Sequence, residues 1–276
     1  MIGIRWKIAR IFVFAALFAL SASLLLSQTD PDPTPLLRAA IEKGRSGESQ
    51  KTRFTYQILD HSQNFNQKGK LLHDGTSLYE IIYIADLEYK HLLEINGKAL
   101  SGQALIDEQK HYDDAVRERT ALDANARAKL MHYKYNEVHF TFSDIVTKFH
   151  NSVVEHTQLN GRDCLLIDST PLDTVADAPR RHLRIWLDPQ KSEFLRMDFD
   201  LLADEEGILR GSKGSFNFTH IDGVQLDSID HFDYIVPAKD NKKHIIRMVS
   251  DQTFSNYQKF VSTVRLLPQT EGDTPQ

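Results

Sequence analysis

Apolar and polar residues alternate with a period of two over much of this chain, and turn sequences interrupt the alternation at short intervals. The dipeptides Asn96-Gly97, Asn160-Gly161 and Asp222-Gly223 stand between such segments and are strong signals for tight hairpins. The pattern therefore predicts about ten strands in one large antiparallel sheet. Because a sheet of that size twists and curls, we expect an α+β protein built on an incomplete β-barrel.

The two faces of this sheet are predicted to differ in polarity. Leu183, Ile185 and Leu187 share one face of their strand, and polar or charged residues occupy most of the other. Neighbouring strands repeat the separation, and the candidate apolar residues are Phe54, Tyr56, Ile58, Leu183, Ile185, Leu187, Leu195, Met197, Phe199, Phe216 and Phe218. Either these side chains pack as core against the helices, or they line a concave surface that holds an acyl chain or another apolar ligand.

A short amphipathic helix is predicted near the start of the domain. The segment Leu36–Lys43 has apolar residues at helical spacing, and Thr34-Pro35 before it supplies a cap and a first-turn proline. Gly44 follows the last apolar position and is expected to end the helix.

Residues 101–150 are predicted to be a helical insertion that covers the sheet. The segment Ser101–Met131 is dominated by charged residues with a narrow apolar stripe, which indicates one or two exposed helices. In Phe140–Phe149 the apolar residues again recur at helical spacing, and Ser143 is a candidate cap.

The N-terminal segment has the pattern of a secretory signal. Arg5, Lys7 and Arg10 precede the apolar run Ile11–Leu26, and small residues such as Ser27 offer cleavage sites. The apolar run is shorter than the roughly 20 residues that cross a bilayer, so we expect residues 1–28 to be a cleaved signal peptide. A single uncleaved anchor is the alternative. Either way, the secretion machinery is a predicted partner.

The rest of the chain contains no long linker and no repeat that would divide it. Residues 29–35 are polar and proline-bearing and are predicted to be a linker, and residues 269–276 are predicted to be a disordered tail. Residues 36–268 are then long enough to form one half-barrel domain with its own core.

Charge and cysteine content limit the class of protein further. The signal carries three positive charges and no negative one, so its removal takes the net charge from −5 to −8. An acidic chain is a poor partner for nucleic acid, because neutralising phosphates needs a basic surface. Cys164 is the single cysteine of the sequence, so the domain has no internal disulfide and depends on its core for stability.

Twelve histidines raise the question of a metal or catalytic site. The best groupings are His111 with Asp107, Asp114 and His132, and His231 with Asp230 and Asp233, but a solvated polar surface explains both. No Gly-x-Ser-x-Gly motif for a hydrolase is present. We therefore expect no catalytic residue, no metal site and no cofactor, and we interpret the protein as a non-enzyme.

A hydrophobic-Asp-Pro hairpin is one of several features in which the chain resembles a known family. The strand ending in Ile185-Trp186-Leu187-Asp188-Pro189, the returning strand Phe194-Leu195-Arg196-Met197-Asp198 and the helix Leu36–Lys43 resemble the bacterial periplasmic lipoprotein carriers of the LolA/LolB type and the related lipid-sensing regulator RseB. The resemblance implies an incomplete barrel whose concave face is lidded by helices and accepts lipid acyl chains. It also implies a location in the periplasm or at the outer-membrane periphery of a Gram-negative bacterium.

Two functions remain open at this point. In the first, the protein is a non-catalytic carrier that binds lipid or the acyl chains of a lipoprotein on the concave apolar face. In the second, the same half-barrel is a structural or sensory protein-interaction module of the cell envelope, with an envelope protein as its partner and no lipid cargo. An unfilled apolar cavity distinguishes the first function, because a fully packed face leaves no room for a chain.

Overall fold

One open antiparallel sheet of eleven strands dominates the architecture. The computed structural model describes residues 32–127, 129–130, 141–205, 207–238 and 245–259. Its strands are β1 (Phe54–Asn66), β2 (Leu71–Ile84), β3 (Leu87–Ile95), β4 (Lys98–Ala99), β5 (Phe149–Leu159), β6 (Arg162–Pro171), β7 (Arg181–Asp188), β8 (Glu193–Leu201), β9 (Lys213–Ile221), β10 (Val224–Pro237) and β11 (Ile245–Lys259). The helices whose full bounds are described are α1 (Thr34–Lys51), α2 (Gly102–Ala121) and α3 (Phe142–Thr147). The predicted α+β class with one large curved sheet is confirmed.

The strand order is β4-β3-β2-β1-β11-β10-β9-β8-β7-β6-β5, so the sheet begins and ends in separate edge strands. Strand β11 lies between β1 and β10 and joins an N-terminal meander to a C-terminal one. It is a single strand of 15 residues, longer than the segment Ile245–Val249 that the sequence pattern predicts. The predicted signal, residues 1–28, the predicted tail, residues 269–276, and a further strand predicted at Val261–Leu266 lie outside the described residues.

The hairpin signals in the sequence are confirmed by the backbone. Both residues of Asn96-Gly97, Asn160-Gly161 and Asp222-Gly223 have positive φ, between 50° and 78°. A two-residue turn of this kind matches the twist of the strands that it connects, and Asn, Asp and Gly tolerate the conformation best. Ala85 and Asp86 adopt positive φ between β2 and β3 without a glycine, which no sequence signal predicts.

Helix α1 is longer than predicted, because it does not end at Gly44. It continues to Lys51 and passes through Gly47. A Cβ atom on Gly47 would lie 3.7 Å from the Cα atom of Val224, so the helix approaches strand β10 closely at this point. Packing against the sheet thus outweighs the low helix propensity of two glycines.

Helix α3 is capped by Thr141 and not, as the sequence suggests, by Ser143. The backbone N–H of Thr141 donates to Oδ2 of Asp144 at 2.7 Å, which is half of a reciprocal capping box. The helix covers six residues, Phe142–Thr147. Phe149 belongs to strand β5, so the amphipathic pattern of Phe140–Phe149 spans a helix and the start of a strand.

The main core lies between α1, α3 and one face of the C-terminal half of the sheet, which we call the inner face. Leu183, Ile185 and Leu187 of β7 are fully buried there. Leu37 of α1 and Ile145 of α3 pack into the same cluster and are also fully buried. Burying a side chain of this size is worth about 1.5–3 kcal/mol relative to exposure.

Helix α2 packs at the other end of the sheet. The Tyr89 hydroxyl donates to Oε1 of the buried Glu108 at 2.9 Å, and the backbone N–H of Leu92 donates to the same oxygen at 3.2 Å. Burial and the hydrogen bond to Glu108 raise the pKa of the Tyr89 phenol above its ordinary value. This contact fixes α2 on β3, away from the core under α1 and α3.

The hydrophobic-Asp-Pro hairpin between β7 and β8 is held by a cluster of charges. Oδ1 of Asp188 accepts the backbone N–H groups of Gln190 and Lys191 at 2.9 Å each. Its Oδ2 accepts from Arg162 at 2.5 Å, and the same guanidinium nitrogen donates to Glu193 at 2.7 Å. The turn therefore requires Asp188 for two reasons: it caps the loop and it binds Arg162.

Gly214 provides space for the aromatic core. It lies opposite Phe199 on β8 and Phe232 on β10. A Cβ atom on Gly214 would lie 2.8 Å from both the Phe199 ring and the His231 carbonyl oxygen, which is too close for either. We expect Gly214→Ala to lower the free energy of unfolding by about 1–3 kcal/mol, because the ring and the strand must shift. Urea denaturation measures this, and unchanged stability would contradict the geometry.

Candidate functional site

A cavity of about 550 Å³ lies between helices α1 and α3 and the inner face of the sheet. Strands β7 to β10 form one side of it and the two helices form the other. Its apolar lining consists of Ala40, Ile41, Phe142, Leu183, Phe194, Met197, Phe199, Phe216 and Phe218. Cavities of this size with mostly apolar walls and a few polar groups are typical of small-molecule sites.

Phenylalanine rings form much of the cavity wall and contact one another. The Phe142 ring of α3 lies 5.1 Å from Phe194, measured between ring centroids. On the sheet, the Phe216 ring lies 5.9 Å from Phe199 and 5.4 Å from Phe232. Such pairs add roughly 0.5–1.5 kcal/mol each beyond their buried area, so the wall is a stable surface.

The structure brings together five of the eleven residues predicted for the apolar face. These five line the cavity: Leu183, Met197, Phe199, Phe216 and Phe218. Ile185 and Leu187 are fully buried in the core cluster. Part of the predicted apolar face is therefore packed core alone, and another part also borders an unfilled space.

The remaining predicted residues lie elsewhere. Phe54 belongs to a separate small cluster with Val224 and Leu226. The Tyr56 ring lies 5.0 Å from the ring of Tyr257, and burial raises the pKa of Tyr56 far above its ordinary value. Ile58, also on β1, is buried at 7% exposure. None of these N-terminal residues belongs to the described lining of the cavity.

Leu195 is displaced from the cavity by an irregularity of the sheet. Trp186 pairs with Arg196, but Leu187 pairs with Phe194, so the register between β7 and β8 shifts at Leu195. Phe194 lines the cavity as a result, while Leu195 is buried outside its lining. A prediction from strict alternation places these two residues on the wrong faces of the strand. The bulge adds one residue to the strand, and no local sequence pattern indicates it.

The helices contribute lining residues that the strand pattern does not indicate. Ala40, Ile41 and Gly44 of α1 line the cavity, as does Phe142 of α3. The apolar spacing of Leu36–Lys43 and Phe140–Phe149 predicts buried helix faces, but it does not show which part of the sheet they cover. None of the described lining residues comes from α2, so the long charged helix does not line this cavity.

Polar groups of the cavity lining concentrate along the second half of α1. Arg45 and Lys51 are there, with Ser143 of α3 beside them and Gln225 and Asp227 on β10. A guanidinium nitrogen of Arg45 donates to Oγ of Ser143 at 2.9 Å, which bridges the two helices.

Arg181 is a third cation of the lining, and it forms an ion pair with a carboxylate of the protein. Its guanidinium donates to Oε2 of Glu205 at 2.7 Å, and both side chains are largely buried. The guanidinium also lies 5.7 Å from the centre of the Phe199 ring. Arg181 thus supports the wall of the cavity through a buried ion pair and a cation–π contact.

A buried carboxyl group lies on the inner face next to the cavity wall. Asp230 of β10 pairs with Phe216 across the sheet and is 5% exposed. Its Oδ1 has no hydrogen-bond partner. Burial, and then the nearby charge of Asp227, raise the pKa of Asp230 to about 8, so the group is mostly protonated at neutral pH. Burial likewise raises the pKa of Tyr234 to about 12.

The histidine groupings considered in the sequence do not form a metal site in the described part of the chain. No group of three His, Cys, Asp or Glu side chains there is arranged to hold an ion. The carboxylate that contacts His231 is that of Asp251 on the neighbouring strand, whose Oδ1 lies 2.7 Å from Nδ1, and not that of Asp230 or Asp233. Across the described ranges, no helix is both long and apolar enough to cross a membrane.

Comparisons with known proteins give structural matches only. No protein-family model and no curated protein matches the chain. A LolA superfamily protein from Nitrosomonas europaea is similar at 9% identity, covering 82% of this chain and 94% of that one, with a TM-score of 0.30. A putative outer membrane lipoprotein-sorting protein domain from Vibrio parahaemolyticus is similar at 11% identity, covering 86% and 95%, with a TM-score of 0.34.

The Pseudomonas aeruginosa MucA/MucB complex is a third similar structure. The match has 9% identity, covers 84% of this chain and 100% of that one, and has a TM-score of 0.25. At these TM-scores, the three similarities say nothing about what this chain binds.

Proposed function

We propose that the protein is an exported, non-catalytic envelope protein that binds the acyl chain of a lipid or of an acylated protein in the cavity under α1 and α3. The observation that supports this most is the unfilled apolar space of about 550 Å³ beside a core that is otherwise packed. Filling it with an apolar chain removes hydrocarbon from water at roughly 0.8 kcal/mol per buried methylene. The proposed mechanism is binding and release, in the periplasm or at the outer-membrane periphery.

The cavity supports this proposal over a purely structural role for the apolar face. The space opens to solvent, so its apolar walls are partly in contact with water, and an apolar ligand that covers them is stabilised by the hydrophobic effect. Its walls consist of rigid strands and helices, which suits a binding site that exists before the ligand arrives.

Gly44 allows the cavity to be closed without disturbing the walls. It lines the cavity from α1, and a Cβ atom built on it would meet no atom within 4 Å. A leucine at this position can therefore extend into the free space. Because glycine inside a helix is about 1 kcal/mol less favourable than alanine, the substitution also favours the helix.

We expect Gly44→Leu to weaken acyl-chain binding at least tenfold while the protein stays as stable as the wild type or becomes more stable. The matched control is Gly44→Ala, which makes the same change in helix propensity but fills little of the cavity. The full chain is expressed with export and purified without detergent, and an organic extract of each variant is analysed by mass spectrometry. Stoichiometric lipid is expected from the wild type and from Gly44→Ala, and little from Gly44→Leu.

One result would overturn the proposal. A clean extract from all three folded proteins, together with no binding of added fatty acids, would leave the cavity without a ligand. That result would favour the alternative, a structural or sensory envelope module that binds a protein partner.

A further inference from the structure

Beside the cavity, the helix side carries positively charged residues and the sheet side carries a negatively charged one. The helix side carries Arg45 and Lys51, and the sheet side of the same region carries Asp227. Arg181 is paired with Glu205, and Lys51 and Asp227 also have interactions within the protein. The charge that a bound molecule meets where it leaves the apolar walls therefore depends on Arg45.

Arg45 is the best placed of these cations to bind a ligand. Its side chain is 63% exposed although the residue lines the cavity, so it lies where the apolar walls meet solvent. Its partners within the protein are weak or neutral: the Ser143 hydroxyl at 2.9 Å and the exposed Glu42 at 3.6 Å. An exposed pair of this kind is worth only a few tenths of a kcal/mol, so an incoming anion can replace it.

The guanidinium fork has more donors than these partners use. It carries five N–H groups in a plane that fits a carboxylate or phosphate with two parallel hydrogen bonds. The hydroxyl of Ser143 lies beside it and can donate one more. Charge-assisted hydrogen bonds of this type are about twice as strong as neutral ones.

We infer that the ligand is a single-chain amphiphile with an anionic head, whose chain occupies the phenylalanine-lined cavity and whose head binds Arg45 beside Ser143. The inference rests on the proposed function and adds the chemistry of the head group. The volume lies in the lower half of the range for small-molecule sites, which suits one chain better than several.

The test compares three amphiphiles with the same chain and different heads: dodecanoate, dodecanol and dodecylammonium. Calorimetric titration of the exported, delipidated protein at pH 8, below the aggregation limit of each compound, gives the affinities. We expect dodecanoate to bind about tenfold more tightly than dodecanol, because only the anion forms an ion pair and two parallel hydrogen bonds with the guanidinium, and it is fully ionised at this pH. Lengthening the chain should tighten both by roughly fourfold per methylene until the cavity is full.

Variants assign the preference to one side chain. Arg45→Gln should bring the affinity for dodecanoate down to that for dodecanol and leave dodecanol unchanged, and Arg45→Lys should keep part of the preference. Arg38→Gln is the control, since Arg38 is an exposed arginine of the same helix outside the cavity lining. Dodecyl phosphate in place of dodecanoate shows whether the head is a carboxylate or a phosphate.

The other possible results contradict the anionic head or the acyl-chain cavity. Equal binding of dodecanoate and dodecanol, both abolished by Gly44→Leu, would overturn the anionic head and keep the acyl-chain cavity. Preference for dodecylammonium would overturn it too and assign the head to Asp227. No binding of any of the three compounds would overturn the proposed function together with this inference.

Discussion

Replacing Asp230 with asparagine is expected to raise the free energy of unfolding by roughly 2–4 kcal/mol at pH 8. The carboxyl has a pKa of about 8 in the folded protein because burial disfavours its charged form, against an ordinary value of 3.8. Between these values the unfolded chain is ionised while the folded chain still holds the proton, so the wild type loses stability as the pH rises through this window. Asparagine is neutral in both states and avoids that cost.

The size of this effect depends on pH, which distinguishes it from a general stabilisation that is the same at every pH. Near pH 4 the carboxyl is protonated in the folded protein and about half protonated in the unfolded chain, so the gain of Asp230→Asn should shrink to less than about 1 kcal/mol. Urea denaturation at several pH values between 4 and 8 measures the trend. A gain that does not depend on pH, or a loss at pH 8, would show that Asp230 is not a neutral group in the folded protein.

Asp233 provides a matched control on the same strand. It accepts two hydrogen bonds from the guanidinium of Arg247, at 2.6 and 2.7 Å. These bonds outweigh its burial and lower its pKa. A carboxyl with a lowered pKa stabilises the fold above its unfolded pKa and ceases to do so as the pH falls. Asp233→Asn should therefore destabilise the protein at pH 7, opposite to Asp230→Asn.

Arg162→Met is expected to lower the free energy of unfolding by about 2–4 kcal/mol at pH 7. The change removes the cation that binds both Asp188 and Glu193, whose side chains are 8% and 9% exposed. Burial alone would raise the pKa of Asp188, but the hydrogen bonds from Arg162, Lys191 and Gln190 outweigh it and lower the pKa. Without Arg162, the burial cost of Asp188 is only partly offset.

The pH dependence of this loss follows from the lowered pKa values of the two carboxyls. Burial also opposes ionisation of Glu193, and hydrogen bonds from Lys43 and Arg162 lower its pKa in spite of that. Their contribution is present above the unfolded pKa and disappears as the pH falls through the folded pKa, so wild type and Arg162→Met should converge in acid.

Arg180→Met is the control for the loss of a surface arginine. Arg180 lies 3.8 Å from Asp173, and both side chains are well exposed, so removing this pair should cost less than about 1 kcal/mol. Thermal or urea denaturation of the two variants side by side checks the comparison. Equal effects of Arg162→Met and Arg180→Met would show that the cluster at the β7–β8 hairpin has no special role in stability.

Hairpin turns were the most predictable part of this fold. Asn96-Gly97 and Asp222-Gly223 adopt the positive φ values that their residue types favour, because the preference is local and steric. The alternation of Leu183, Ile185 and Leu187 likewise predicts a buried face, since strand geometry places alternate side chains on the same side. Such features depend on neighbouring residues and need no knowledge of the rest of the chain.

Other features depend on contacts between distant segments, and local patterns cannot predict them. Helix α1 continues through Gly44 because the sheet packs against it, and Phe194 replaces Leu195 in the cavity because a bulge shifts the register between β7 and β8. Arg45 reaches Ser143 across 98 residues of sequence. No residue near Arg45 in the sequence indicates that partner.

By itself, the sequence determined that this chain forms one large antiparallel sheet with an apolar face, because the two-residue period and the Asn-Gly turns act over a few residues. The tertiary structure alone decided which part of that face is core and which part borders a cavity. Ile185 and Leu187 lie only in the packed cluster, whereas Phe199 and Phe216 pack with that cluster and also line the cavity, as Gly44 does. The difference lies in how closely α1 and α3 approach the sheet, a distance set by the fit of many side chains at once.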